Sequence, residues 1–117
     1  MTDRKKLIKK YKETPTPMGI LQIKNLANGK TLLMMAKNLP GIINSQRFTL
    51  KNGSHPISQV QKDFTSLGEN NFSFEVIDNL EPSEGVNYDY TKDLQALEEM
   101  WIEKLQPYDT RGYHAKR

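Results

Sequence analysis

The sequence predicts an α+β domain, a small three-stranded sheet, mixed or antiparallel, flanked by helices in the order α-β-β-α-α-β-α. Three observations carry this prediction. Two short apolar-rich runs, Met18 to Lys24 and Lys30 to Ala36, flank a turn ending in Asn28-Gly29, and Asn and Gly tolerate the positive backbone angles that a tight hairpin needs. Two segments with helical spacing follow the hairpin. An alternating strand-like run and a closing amphipathic segment come after them. A hairpin alone is marginal in water, so the helices are expected to cover it.

With 117 residues and 36% hydrophobic content, one compact domain with a modest core is expected. The chain has no cysteine, which excludes disulfides, thiolate metal ligands and a cysteine nucleophile and fits a reducing, cytoplasmic setting. No apolar run reaches membrane-spanning length and the N-terminus lacks a secretion-signal core, so no membrane role is expected. The formal charge is +3, and its placement matters more than its size. Residues 1 to 12 hold Arg4, Lys5, Lys6, Lys9, Lys10 and Lys12 against Asp3, a balance of +5 that leaves −2 for the rest. Residues 1–17 therefore read as a basic arm with a proline linker, and 18–117 as the domain.

Within the arm, Leu7, Ile8 and Tyr11 suit a short amphipathic helix over Asp3 to Tyr11 that ends before Thr14-Pro15-Thr16-Pro17. After the hairpin, Asn38 or Leu39 marks a helix boundary, with Pro40 in the first turn where its missing N–H costs little. At about 100° per residue, Leu39, Ile43, Gln46 and Leu50 share a narrow arc with Ile42 at its edge. Gln46 is the polar member of this stripe and is expected to be partly buried and bonded to backbone. A second helix is predicted from Pro56 to about Leu67, with Gly68 as its stop. Asn71 to Ile77 alternates as a strand, sending Phe72, Phe74 and Val76 to the core. Asp78 to Tyr90 is an acidic loop, and the last helix runs from Thr91 or Lys92 to about Leu105, capped by Thr91 and stopped by Pro107. A polar tail follows, from which Tyr113 packs back.

On the last helix Leu94, Leu97, Trp101, Ile102 and Leu105 form an apolar arc, and Glu98 lies inside it. A carboxylate there must find a partner, reach solvent at an edge, take up a proton or bind a divalent ion.

These pieces, in this order and at these separations, resemble the GIY-YIG nuclease family from about Met18 to Tyr113, in particular a small bacterial branch with a basic N-terminal arm. The resemblance rests on Gly19-Ile20-Leu21, the Asn28-Gly29-Lys30 turn, the passage Gly68 to Val76, Glu98 through Trp101-Ile102 and the closing Leu105-Gln106-Pro107-Tyr108. It implies a GIY-YIG endonuclease-like fold and, in active members, phosphodiester cleavage with a divalent ion, Mg2+ or Mn2+. It further implies hairpin tyrosines, an arginine and often a histidine on the first following helix, and a metal-binding glutamate on the last helix. Such groups would activate water, stabilise charge on the phosphate and assist at the scissile bond.

Glu98 occupies the glutamate position. The tyrosine positions hold Leu21 and Leu32, the arginine position Ile42 and the histidine position Gln46, and His114 stands where a late asparagine is expected. Leu32-Leu33-Met34 replaces the second triplet, and Met34 adds bulk where the family has glycine. Leucine moves no proton and isoleucine neutralises no phosphate. Arg47 lies about 140° around the helix from Ile42 and does not replace the missing arginine, while Lys37 lacks the planar two-point geometry of arginine.

The leading expectation is thus a catalytically degenerate nuclease-like domain that binds nucleic acid weakly or a protein partner. Lys5, Lys6, Lys9, Lys10, Lys37 and Arg47 are the candidate phosphate contacts, and Glu98 is the candidate metal ligand. An active metal-dependent endonuclease using Glu98 is one alternative. A structural or protein-interaction module is the other, and self-association through an exposed patch of Leu21, Leu32 and Met34 would favour it. His55 and His114 are expected to be surface or hydrogen-bonding residues.

Overall fold

The computed structural model describes residues 16–82 and 88–115, so the arm helix predicted over Asp3 to Tyr11 lies outside the described residues. Strand β1 (Gly19–Asn25) and strand β2 (Thr31–Ala36) form the predicted hairpin. Its turn is built by side chains as well as backbone. Asn25 Oδ1 accepts from the Ala27 N–H and Asn28 Oδ1 from the Lys30 N–H, and Gly29 takes φ +78°, where a side chain would be strained.

Helix α1 (Leu39–Lys51) starts as the sequence predicts. The side chain of Asn38 accepts from the Gly41 N–H, and Pro40 occupies the first turn. Helix α2 (Ser58–Leu67) begins two residues after the predicted Pro56. A single 3-10 turn over Glu69–Asn71 leads into strand β3 (Phe72–Asn79), and helix α3 (Thr91–Leu105) closes the set. Thr91 is not the cap of α3. Tyr90 holds that position without a side-chain bond, and just ahead of it Asp89 Oδ1 accepts from both the N–H and the hydroxyl of Thr91. Those bonds, with Lys37 beside them, hold the Asp89 carboxyl down to about 2.

The sheet is antiparallel throughout, in the order β2-β1-β3. Gly19 sits where β1 and β3 approach too closely for a side chain, since a Cβ would lie 2.0 Å from the Asp78 carbonyl oxygen. Leu21 and Ile23 of β1 with Leu32 and Ala36 of β2 face α1 and α2, and they form one buried cluster with Leu39, Leu50, Val60, Phe64 and Phe72. Alternation sends Ile20 and Leu33 to the opposite face, where α3 packs along β1 and β2 and contributes the fully buried Leu94. Val76 departs from expectation at 39% exposure. The register shifts beside it, with Ile20 opposite Asp78 but Leu21 opposite Val76, so Ile77 is the extra residue of a bulge. Among the described residues no helix is long and apolar enough to cross a membrane.

Candidate functional site

The two hairpin positions at which tyrosines were sought are closed. Leu21 is 0% and Leu32 3% exposed, both inside the cluster under α1 and α2, with Met34 and Ile42 packed against it. The exposed Leu21-Leu32-Met34 patch considered from sequence therefore does not exist, because alternation on paired strands turns all three toward the helices.

Gln46 does not bond to backbone as expected. Its Oε1 lies 2.6 Å from Nε2 of His55, which is buried and takes the hydrogen-bonding role expected of it. The Ile57 N–H donates to His55 Nδ1, so the ring is neutral with its proton on Nε2, and burial pushes the imidazole below the ordinary histidine value. The His55 N–H donates to Gln61 Oε1, and Gln61 Nε2 donates to the Leu50 carbonyl at 3.0 Å. These bonds tie the end of α1 to the start of α2, which has no side-chain cap of its own.

Glu98 lies at the outer edge of β2. The Asn25 N–H donates to the Lys30 carbonyl, which fixes the ladder so that the N–H groups of Leu33 and Met35 point away from β1. Met35 N–H donates to Glu98 Oε2 at 2.8 Å and Leu33 N–H to His114 Nε2 at 2.8 Å, while the Thr31 carbonyl accepts from the Tyr113 N–H at 3.0 Å. Tyr113 itself is anchored more deeply. Its hydroxyl donates to Asp63 Oδ2 at 2.7 Å and accepts from the fully buried Asn25, and burial, with the Asp63 carboxylate beside it, raises the phenol to about 12.

The other candidates are dispersed. Lys37 Nζ pairs with Asp89 Oδ1 at 3.1 Å on the surface. Arg47 stacks over Phe74 of β3, 4.9 Å from the ring centroid, and so stands toward the sheet edge opposite Glu98. Lys5, Lys6, Lys9 and Lys10 lie outside the described residues. Among the described residues no three His, Asp or Glu side chains gather as a cation site, and one oxygen of Glu98 already serves Met35.

Two solved structures share this architecture. The catalytic domain of the homing endonuclease I-TevI aligns with a TM-score of 0.68 at 25% identity, covering 86% of this chain and 99% of that one. The chain has the GIY-YIG nuclease fold. A mutant of the intron endonuclease I-TevI catalytic domain, with one glutamate replaced by alanine, aligns at TM-score 0.63 and 26% identity over 78% of this chain and 86% of that one. No protein-family model and no curated protein sequence matches the chain. The GIY-YIG fold thus carries its hairpin and helices here, with leucines under α1 and α2 and Glu98 on the β2 edge. The Gln46–His55 pair was missed from sequence. Its signal was the polar member of the α1 stripe, whose partner stands nine residues ahead in a turn.

Proposed function

We propose that this GIY-YIG domain is catalytically degenerate and binds nucleic acid without cutting it. The observation that carries the reading is the burial of Leu21 and Leu32 in the core cluster with Ile42 packed on it, so that three positions of the expected catalytic set hold side chains that neither exchange protons nor neutralise phosphate. Glu98 supports the same reading, because its contact with Met35 gives it a task in the fold. The basic arm supplies electrostatic attraction, and affinity that rests on such contacts falls steeply with salt.

The test is a nuclease panel on labelled duplex and single-stranded DNA and RNA with Mg2+ or Mn2+, alongside a salt titration of binding. No divalent-dependent cleavage is expected, with salt-sensitive binding that weakens when residues 1–12 are deleted. Cleavage abolished by Glu98→Ala would establish the endonuclease instead. Absence of binding at low salt would leave a protein partner or self-association as the function.

A further inference from the structure

The net −2 of the chain beyond residue 12 conceals a sharp segregation. From residue 14 to residue 62 there is no acidic side chain, against Lys24, Lys30, Lys37, Arg47, Lys51 and Lys62. From 63 to 109 there are twelve acidic residues against Lys92 and Lys104. The fold turns this into two faces. Helices α1 and α2 cover one side of the sheet with an outward surface poor in acid, while α3 brings Asp93, Glu98, Glu99 and Glu103 to the other side.

On the acid-poor side α1 exposes an aromatic ring. Phe48 is 70% exposed, in the last turn of a helix whose buried residues are Leu39 and Leu50. Around the helix, Arg47, Lys51, Asn44, Phe48 and Asn52 fall within an arc of about 140°. All five are exposed. A single exposed hydrophobic residue is ordinary, and Met100 is another. Phe48 differs in its helix neighbours, because two cations and two amides share its exposed arc, whereas Met100 stands beside Glu99 and Glu103. Two acidic groups lie on this side. Asp63 of α2 accepts from the Tyr113 hydroxyl, and Glu69 pairs with Lys51 at 3.3 Å in an exposed bridge that a phosphate would replace at little cost.

We infer that the outer face of α1 is a platform for single-stranded nucleic acid, with an unpaired base stacked on Phe48 and its flanking phosphates met by Arg47 and Lys51. The chemistry selects this partner. A flat exposed ring accepts the face of any unstacked base, the cations follow the backbone, and a paired base offers no free face. The inference rests on the proposed nucleic-acid binding and moves the contact in the folded domain away from Glu98 and the β2 edge.

Fluorescence anisotropy with a short labelled oligothymidine and with a duplex of the same length tests it on the full chain. Phe48→Ala should weaken single-strand binding about tenfold to a hundredfold while leaving the salt slope intact, and Phe48→Trp should retain binding. Arg47→Glu combined with Lys51→Glu should flatten the salt slope. Circular dichroism should show each variant folded, since all three positions are exposed. Unchanged single-strand affinity in Phe48→Ala overturns the platform, and if deletion of residues 1–12 then removes binding, the nucleic-acid reading survives through the arm. Failure of the unaltered protein to bind either probe at low salt overturns both.

Discussion

The interior of the hairpin and the outer edge of β2 treat the expected catalytic positions in opposite ways. Inside, Leu21, Leu32 and Ile42 are apolar and packed beneath or within the helices. At the edge, Glu98 and His114 are polar, and each receives an outward N–H from β2. The contrast shows that a polar residue at such a position also serves the fold. An edge strand presents unpaired N–H groups whether or not the protein cuts phosphodiesters, and a carboxylate and an imidazole satisfy two of them here.

The interior side of the contrast carries the largest expected effect. Leu21→Ala should cost about 2–5 kcal/mol in chemical denaturation, as for other buried leucines. Leu21→Tyr, which restores the family residue in isolation, should destabilise by about 1–3 kcal/mol through overpacking and yield no cleavage. A Leu21→Tyr protein that is stable and cuts DNA would break the comparison.

The edge side predicts a smaller, chemically specific effect. Glu98→Ala leaves the Met35 N–H without its acceptor and should cost about 1–3 kcal/mol, whereas Glu98→Gln keeps an oxygen there and should recover most of the loss. Equal damage from the two variants would mean that the negative charge, not the acceptor, is what this position supplies.

Two pH windows come next. His55 is held below its ordinary value by burial, so the unfolded chain binds more protons than the folded one, and the contribution of His55 is complete above about pH 6.5 and declines as pH falls through it. Tyr113 is raised from 10.0 to about 12, so its contribution is present below pH 10 and is lost as pH climbs through that interval. Thermal melts across pH should show both flanks, the acidic one diminished in His55→Gln and the alkaline one in Tyr113→Phe. The smallest effect belongs to Lys37→Ala, which removes an exposed bridge to Asp89 and should change stability by at most about 1 kcal/mol.

Much of this architecture was legible in the residues because its signals are local. Asn28-Gly29 writes the hairpin, Asn38 and Pro40 write the start of α1, and Pro107 stands just beyond the end of α3. The helical wheel also showed that Glu98 needs a partner. It could not supply the partner, because the Met35 N–H is 63 residues away in sequence and a backbone group leaves no mark on side-chain pattern. Val76 escaped for a related reason, since the bulge at Ile77 is a property of pairing with β1. Thr91 does not cap α3 because its hydroxyl donates to Asp89, whose carboxylate also takes Lys37. Burial of Leu21 and Leu32 follows from strand alternation once the helices are placed, whereas the absence of an exposed patch around them required the fold.

The satisfied edge of β2 also sets a timetable for a growing chain. Leu33 and His114 are 81 residues apart in sequence, and Met35 and Glu98 are 63 apart. At synthesis rates of about 5–20 residues per second, the strand precedes its edge partners by roughly 3–16 s. Hairpins close within microseconds, so whenever the marginal hairpin forms in that interval its β2 edge offers two outward N–H groups to any extended neighbour. The residues that finish the fold are thus also the ones that end its period of greatest exposure to misassociation.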